Sequence, residues 1–305
     1  MKKTGYIILG ILAVIAGTAV VFLSPKNVII ENNRTVVAAT IFPIYDITRS
    51  IAGPDADVKL IVPPGTSPHS FDISAETVKG LQGADIIFNI GYGVDDWIAS
   101  IQQAIPNVRV IGMDKGITLR ETVRNEHEDE EEQGAVDPHY WLDPNNAKIM
   151  AATITDELIR LDPSHQEAYT ERKDQFITKL EAQDILWKNQ LAEFTKRDIL
   201  TFHDALYYFA NHFNLHVVAT YEPFVGKEPS PQYLADLHGV VKDYNIRVLF
   251  IEPQLSRAGL DAFAADVGAA IGVLDEMGGK DGKESYIDLI SANVREVEQA
   301  LAVSH

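Results

Sequence analysis

The chain has no cysteine among its 305 residues. It therefore has no disulfide, no thiolate metal site, no cysteine nucleophile and no N-terminal cysteine that a lipid could anchor. Any bound metal must be held by imidazole, carboxylate or neutral oxygen. Basic residues are in short supply: 26 Lys and Arg against 44 Asp and Glu leave a formal net charge of −18. That excess argues against a nucleic-acid partner, because a phosphate backbone would be repelled. It suits attraction of cations, although most such charge is simply solvated surface. A His-Glu-x-x-His helix is absent, as is a Gly-x-x-x-x-Gly-Lys phosphate loop. What remains is ordinary for a folded chain: 46% apolar residues and length enough for two modest domains or one large one.

From Gly5 to Leu23 there is no charged residue, and Lys2 and Lys3 precede the run. A basic start followed by an apolar segment is the layout of an export signal. This segment also reaches bilayer-spanning length. No small-x-small cleavage motif follows closely, since Val37-Ala38-Ala39 lies too far downstream. Residues 1–25 are therefore read as an export signal or, preferably, an uncleaved membrane anchor with its lysines in the cytoplasm. Residues 26–34 read as a polar tether, and everything beyond would lie outside, in the periplasm or at the cell surface.

Strand and helix signals then alternate. β-Branched or apolar runs at 35–41, 57–62, 84–90 and 108–112 read as strands. Helices are expected over 43–52, 74–82, 95–104 and 144–161, with Ser74 as a cap. The block Glu126-His127-Glu128-Asp129-Glu130-Glu131-Glu132 breaks this pattern. From Ser164 to Phe194 there is neither proline nor glycine, and Phe176, Leu180, Ile185, Leu186 and Leu191 recur at helical spacing. One helix of that span would be roughly 45 Å long at 1.5 Å per residue. Alternation resumes with strands at 199–202, 216–221, 247–252 and 272–274 and helices at 204–212, 231–243, 257–269 and 286–301. The fold class is α/β, with two parallel-sheet lobes (35–162 and 195–305) joined by a single long, rigid helix (163–194). The topology repeats; the sequence does not.

Four candidate metal ligands occupy similar addresses. His69 follows a strand and the loop Pro63-Pro64-Gly65-Thr66-Ser67-Pro68. His139 lies just before a helix. His203 ends the apolar run Ile199–Phe202, and Asp275 follows Ile271-Gly272-Val273-Leu274. Open α/β sheets bind ligands beyond the carboxyl ends of their strands. His69 and His139 are 70 residues apart, and His203 and Asp275 are 72 apart. Each lobe would thus give two ligands to an ion in the cleft between them. Three imidazoles and a carboxylate suit tetrahedral zinc, while a second carboxylate oxygen would suit manganese. His203 is expected to open a helix, whose dipole disfavours imidazolium. Plainer readings stand beside these. A lone histidine at a strand end is more often a hydrogen-bonded structural residue. Asp275 also suits capping the turn before Gly278-Gly279, Asp137 and Asp143 suit fixing loop and helix ends, and Glu252 rivals Asp275 as the carboxylate ligand.

At these residues the chain resembles the zinc and manganese solute-binding proteins of ATP-binding cassette importers. Four segments carry the resemblance: Pro64-Gly65-Thr66-Ser67-Pro68-His69-Ser70-Phe71, Asp137-Pro138-His139-Tyr140-Trp141-Leu142-Asp143-Pro144, Thr201-Phe202-His203-Asp204-Ala205-Leu206-Tyr207-Tyr208-Phe209 and Gly272-Val273-Leu274-Asp275. The second is the most specific, and the similarity runs from about residue 35 to the C-terminus.

The resemblance implies that the long helix limits lobe motion. It implies a monomer that binds a divalent ion and hands it to a membrane permease driven by a cytoplasmic ATPase. In that family the third ligand is often histidine in zinc-binding members and glutamate in manganese-binding ones, so His203 favours zinc. Two features depart from the family. The loop before the second motif is acidic, with His127 as its one histidine, where zinc-importing relatives often carry many. The lipidated N-terminal cysteine of some relatives is missing. An enzyme is not expected, because four protein ligands leave a metal hydrolase no site for water. A surface adhesin with a structural metal is the other alternative. Binding should weaken as pH falls through the ordinary histidine range near 6.5.

Overall fold

Residues 34–121, 136–223 and 226–303 are described by the structure, a computed structural model. The apolar segment 1–25, the tether up to Asn33 and the acidic block 126–132 lie outside those residues. Among the described residues, no helix is long and apolar enough to cross a membrane.

The first lobe runs β1 (Thr35–Ala39), α1 (Phe42–Ala52), β2 (Ala56–Leu60), α2 (Ala75–Gly80), β3 (Ile86–Asn89), α3 (Ile98–Ala104), β4 (Arg109–Gly112) and α4 (Pro144–Leu161). Helix α5 (Gln166–Ala192) follows. The second lobe runs β5 (Asp198–Thr201), α6 (Tyr207–His212), β6 (His216–Thr220), α7 (Pro231–Asp243), β7 (Val248–Ile251), α8 (Leu260–Val267), β8 (Ala270–Val273) and α9 (Tyr286–Val303). Local chemistry sets many of these starts. Proline occupies the first turn of α1, α4 and α7, where a missing N–H costs nothing. Ser74, Asp143 and Ser230 accept backbone N–H bonds ahead of α2, α4 and α7.

Both sheets are wholly parallel and share one order, β2-β1-β3-β4 and β6-β5-β7-β8. Successive strand residues face opposite sides. In β1 and β3, Val37, Ala39, Ile86 and Phe88 join a central core, whereas Ala38 and Ile87 join an outer one with Ile98 and Ile101. In the second sheet, Ile199 and Phe250 face the central core, and Leu200, Leu249 and Ile251 face an outer one. Burial on both faces is why these strands read as unbroken apolar runs.

The central core is continuous across both lobes and includes α5 and α9. Helix α5 buries Tyr169, Phe176, Leu180, Trp187 and Leu191, spaced alternately by seven and four residues. Ile185 and Leu186, expected from sequence to share that stripe, are 61% and 55% exposed. At about 100° per residue they fall roughly a quarter-turn or more off the line through Leu180 and Trp187. His212, at the end of α6, ties three elements: its Nδ1 lies 2.7 Å from Asp143 Oδ1 ahead of α4, and its Nε2 lies 2.6 Å from Asp184 Oδ1 on α5.

Candidate metal centre

The strand order reverses between β1 and β3, and again between β5 and β7, which places a crevice at the carboxyl ends of those strands. In the second lobe, His203 lies just past β5 and Glu252 just past β7. In the first, buried Asp95 ties the two strand ends together. Its Oδ2 accepts from Thr40 Oγ1 (2.6 Å) and Ile90 N (2.7 Å), and its Oδ1 accepts from Gly91 N (2.7 Å). The Gly93 backbone of that tethered loop is hydrogen-bonded to the His69 ring. His69 itself sits in a 3₁₀ turn, Pro68–Ser70, and His139 directly precedes another, Tyr140–Leu142.

The three histidines, remote in sequence, come together. Each offers a ring nitrogen within 4.8 Å of the others, and His69 Nε2 lies 3.4 Å from His139 Nε2. Tetrahedral zinc with bonds of 2.0–2.1 Å separates neighbouring ligand atoms by about 3.3–3.4 Å. Behind the rings stand carboxylates. Asp137 Oδ1 lies 3.0 Å from His139 Nδ1 and also accepts the His139 backbone N–H at 3.0 Å. Glu252 Oε1 lies 3.0 Å from His203 Nδ1, an ion-pair distance at an angle poor for a hydrogen bond. With a carboxylate beside each Nδ1, Nε2 is the nitrogen that both rings turn to the centre. Arg120 Nη1 then joins Asp137 Oδ2 and Asp204 Oδ1, each at 3.2 Å, while its guanidinium stacks 3.9 Å above the Tyr207 ring.

Asp275 is not brought to this cluster. Its Oδ1 accepts from Gln254 Nε2 (3.0 Å), Met277 N (2.9 Å) and Gly278 N (3.1 Å), and its Oδ2 pairs with Lys283 Nζ at 2.8 Å. Asn293 on α9 bonds both its backbone N and O. The residue organises the turn, as its position before Met277-Gly278 allows. Gly279 in that turn has φ +86° and packs so close to Phe42 and Pro64 that a Cβ would lie 2.9 Å from each. The carboxylate facing the histidines belongs to Glu276. Its Oε2 is 3.6 Å from His139 Nε2 and 4.0 Å from His203 Nε2, buried and without a hydrogen-bond partner. Sequence reading missed Glu276 because it took the acidic residue nearer the strand end. The usable signal was that an aspartate two residues before N–H groups of a glycine turn is commonly spent on that turn.

Electrostatics divides the rings. Burial, followed by the charges of His139 and His203, pushes His69 down to about 4. Burial would also lower His203, but the Glu252 and Glu276 carboxylates outweigh it and hold the ring up at about 9. The expected helix-dipole effect on His203 is overridden. Helix α6 starts only at Tyr207, so the ring lies well short of the helix end and next to two carboxylates. Burial raises Glu276 above the usual carboxylate range.

Two parallel α/β lobes sharing one core, with imidazoles and buried carboxylates converging where their strands end, define a solute-binding protein for a transition-metal ion. The chain belongs to the family of the periplasmic zinc-uptake complex component A, ZnuA, whose family model matches residues 37–300. It is 29% identical over 286 residues to the high-affinity zinc uptake system protein ZnuA of Bacillus subtilis (strain 168), covering 90% of this chain and 89% of that protein. It is 25% identical to the zinc-binding protein AdcA of Streptococcus pyogenes serotype M3, covering 86% of this chain but 54% of that longer protein. A crystal structure of ZnuA superposes with a TM-score of 0.78 at 27% identity, covering 87% of this chain and 98% of that one. The family is one of transport-associated binding proteins, not of enzymes.

Proposed function

We propose that this protein captures one zinc ion, with manganese as the alternative cargo, through Nε2 of His69, His139 and His203 and Oε2 of Glu276. It then surrenders the ion to a membrane permease powered by a cytoplasmic ATPase. One observation carries the reading: three imidazoles and a buried, unpartnered carboxylate oxygen from four remote segments converge, with a 3.4 Å nitrogen–nitrogen separation suited to zinc. Three nitrogens to one carboxylate favour a borderline ion such as zinc over harder cations. Part of the same reading is the division into lobes 35–162 and 195–305 with 163–194 between them. So are a monomeric state and an extracytoplasmic position reached through residues 1–25 as signal or anchor.

The test compares two neighbouring substitutions by zinc titration against a chelating dye. Glu276→Ala should weaken zinc binding by well over tenfold. Asp275→Ala should act chiefly through the turn it organises, lowering thermal stability. If Glu276→Ala binds zinc as the parent does while Asp275→Ala abolishes binding, Asp275 is the ligand and the assignment fails.

A further inference from the structure

A line of buried hydrogen bonds joins the two lobes directly behind the metal centre. Asp46 on α1 accepts the backbone N–H of Tyr286, the first residue of α9, at 2.7 Å. The Tyr286 hydroxyl donates to the carbonyl of Trp141 at 2.8 Å. The Trp141 indole N–H donates to the carbonyl of Glu276, also at 2.8 Å. All four residues are buried, with Trp141 and Tyr286 wholly enclosed. At the outer end, Arg49 Nη2 bonds Asp46 Oδ1 (2.7 Å) and the Glu284 carbonyl (2.9 Å).

The chemistry of this line goes beyond filling space. Trp141 stands two residues after His139, and its ring lies 5.2 Å from the His139 ring, centroid to centroid. Glu276 occupies a loop outside any helix or strand, followed by two glycines in the left-handed region. Asp275 and Asn293 hold the turn on either side of it, but none of those bonds reaches the Glu276 carbonyl. That carbonyl is instead fixed from the opposite lobe, by a tryptophan whose own carbonyl is fixed by a tyrosine of the second lobe. A buried donor or acceptor left unmade costs more than the bond itself contributes, so the line resists slippage. We propose that Trp141 and Tyr286 are positioning residues that set the Glu276 carboxylate at its working distance from His139 across the interlobe cleft. This rests on the ligand assignment above, in which His139 and Glu276 both donate to the ion.

The experiment is a double-mutant cycle on the intact chain, reading zinc dissociation constants by chelator competition and the visible spectrum of the cobalt(II)-loaded protein. Tyr286→Phe removes one hydroxyl and keeps the ring. It should weaken zinc binding about tenfold, or ~1.4 kcal/mol, and alter the cobalt(II) bands. In a Glu276→Ala background, the same change should move the constant less than about twofold, because the carboxylate it positions is gone. A Tyr286→Phe protein that binds as the parent does, or one weakened equally with and without Glu276, overturns the proposal. If Tyr286→Phe does not fold, Trp141→Phe is read in the same cycle. Failure of both to fold would assign the line to stability alone. A Glu276→Ala protein with parental affinity refutes the ligand assignment itself, whereas a weakened Glu276→Ala without coupling refutes only the positioning role.

Discussion

At the scale of the residue, the centre is defined by what each side chain is already doing. Asp275, Asp137 and Asp95 spend their oxygens on backbone N–H groups, a lysine or a ring nitrogen. Glu276 Oε2 and His203 Nε2 have no such partner, and burying polar atoms in that state is costly unless a cation satisfies them. The pH dependence follows from His203. In the metal-free chain its ring is held at about 9 by Glu252 and Glu276 against the effect of burial, so it carries a proton at neutral pH. A metal needs the neutral ring, so binding near pH 7.5 should expel about one proton per ion. Affinity should therefore climb with pH up to about 9. Calorimetry in buffers of different ionisation enthalpy measures this directly; identical heats in all buffers would contradict it. The raised value also affects folding. Stabilisation from the ring and its carboxylates is fully present below the ordinary histidine pKa near 6.5 and is lost as pH rises through about 9. His69, lowered to about 4, works the other way and at lower pH: its contribution to stability is present above the ordinary value near 6.5 and is lost as pH falls from there to about 4.

At the scale of the element, α5 packs against α1 and α4 of the first lobe and α9 of the second. Its buried residues form a narrow stripe that packs into the shared core, while Ile185 and Leu186 lie off it. Trp187 is also hydrogen-bonded through its indole N–H to Ser291 Oγ on α9 at 3.1 Å. Trp187→Ala should therefore cost about 3–5 kcal/mol, the usual loss for a large buried aromatic. Leu186→Ala should stay within about 0.5 kcal/mol. Denaturant titration of the two variants distinguishes them, and similar losses for both would mean the stripe is misplaced.

At the scale of the molecule, the two lobes share one buried core. A single core runs from β1 through α5 to α9, and the cleft is crossed by buried hydrogen bonds at Asp46, Trp141 and Tyr286. Free hinge closure would tear that core, so metal capture should proceed with little change of shape. Metal-free protein is expected to melt in one transition. Zinc should shift that transition upward by mass action, by about 4 kcal/mol when free zinc exceeds the dissociation constant a thousandfold. Differential scanning calorimetry resolves the point; two separate metal-free transitions would mean that the lobes fold independently.

The sequence by itself determined the alternation of strands and helices, the proline-free stretch of α5 and the three histidines. These are local signals: β-branched runs, capping residues and strand-end positions survive in one dimension because each depends on near neighbours. Tertiary structure shows which way the turn sends two adjacent carboxylates, Glu276 toward the histidines and Asp275 onto Lys283 and the turn's own N–H groups. It decided that His203 lies near two carboxylates instead of at a helix start, and that Ile185 and Leu186 face outward. Those outcomes depend on groups remote along the chain, such as Glu252 and Glu276 beside His203 or the Trp141 indole on the Glu276 carbonyl, and geometry of that kind leaves no periodic trace in the chain.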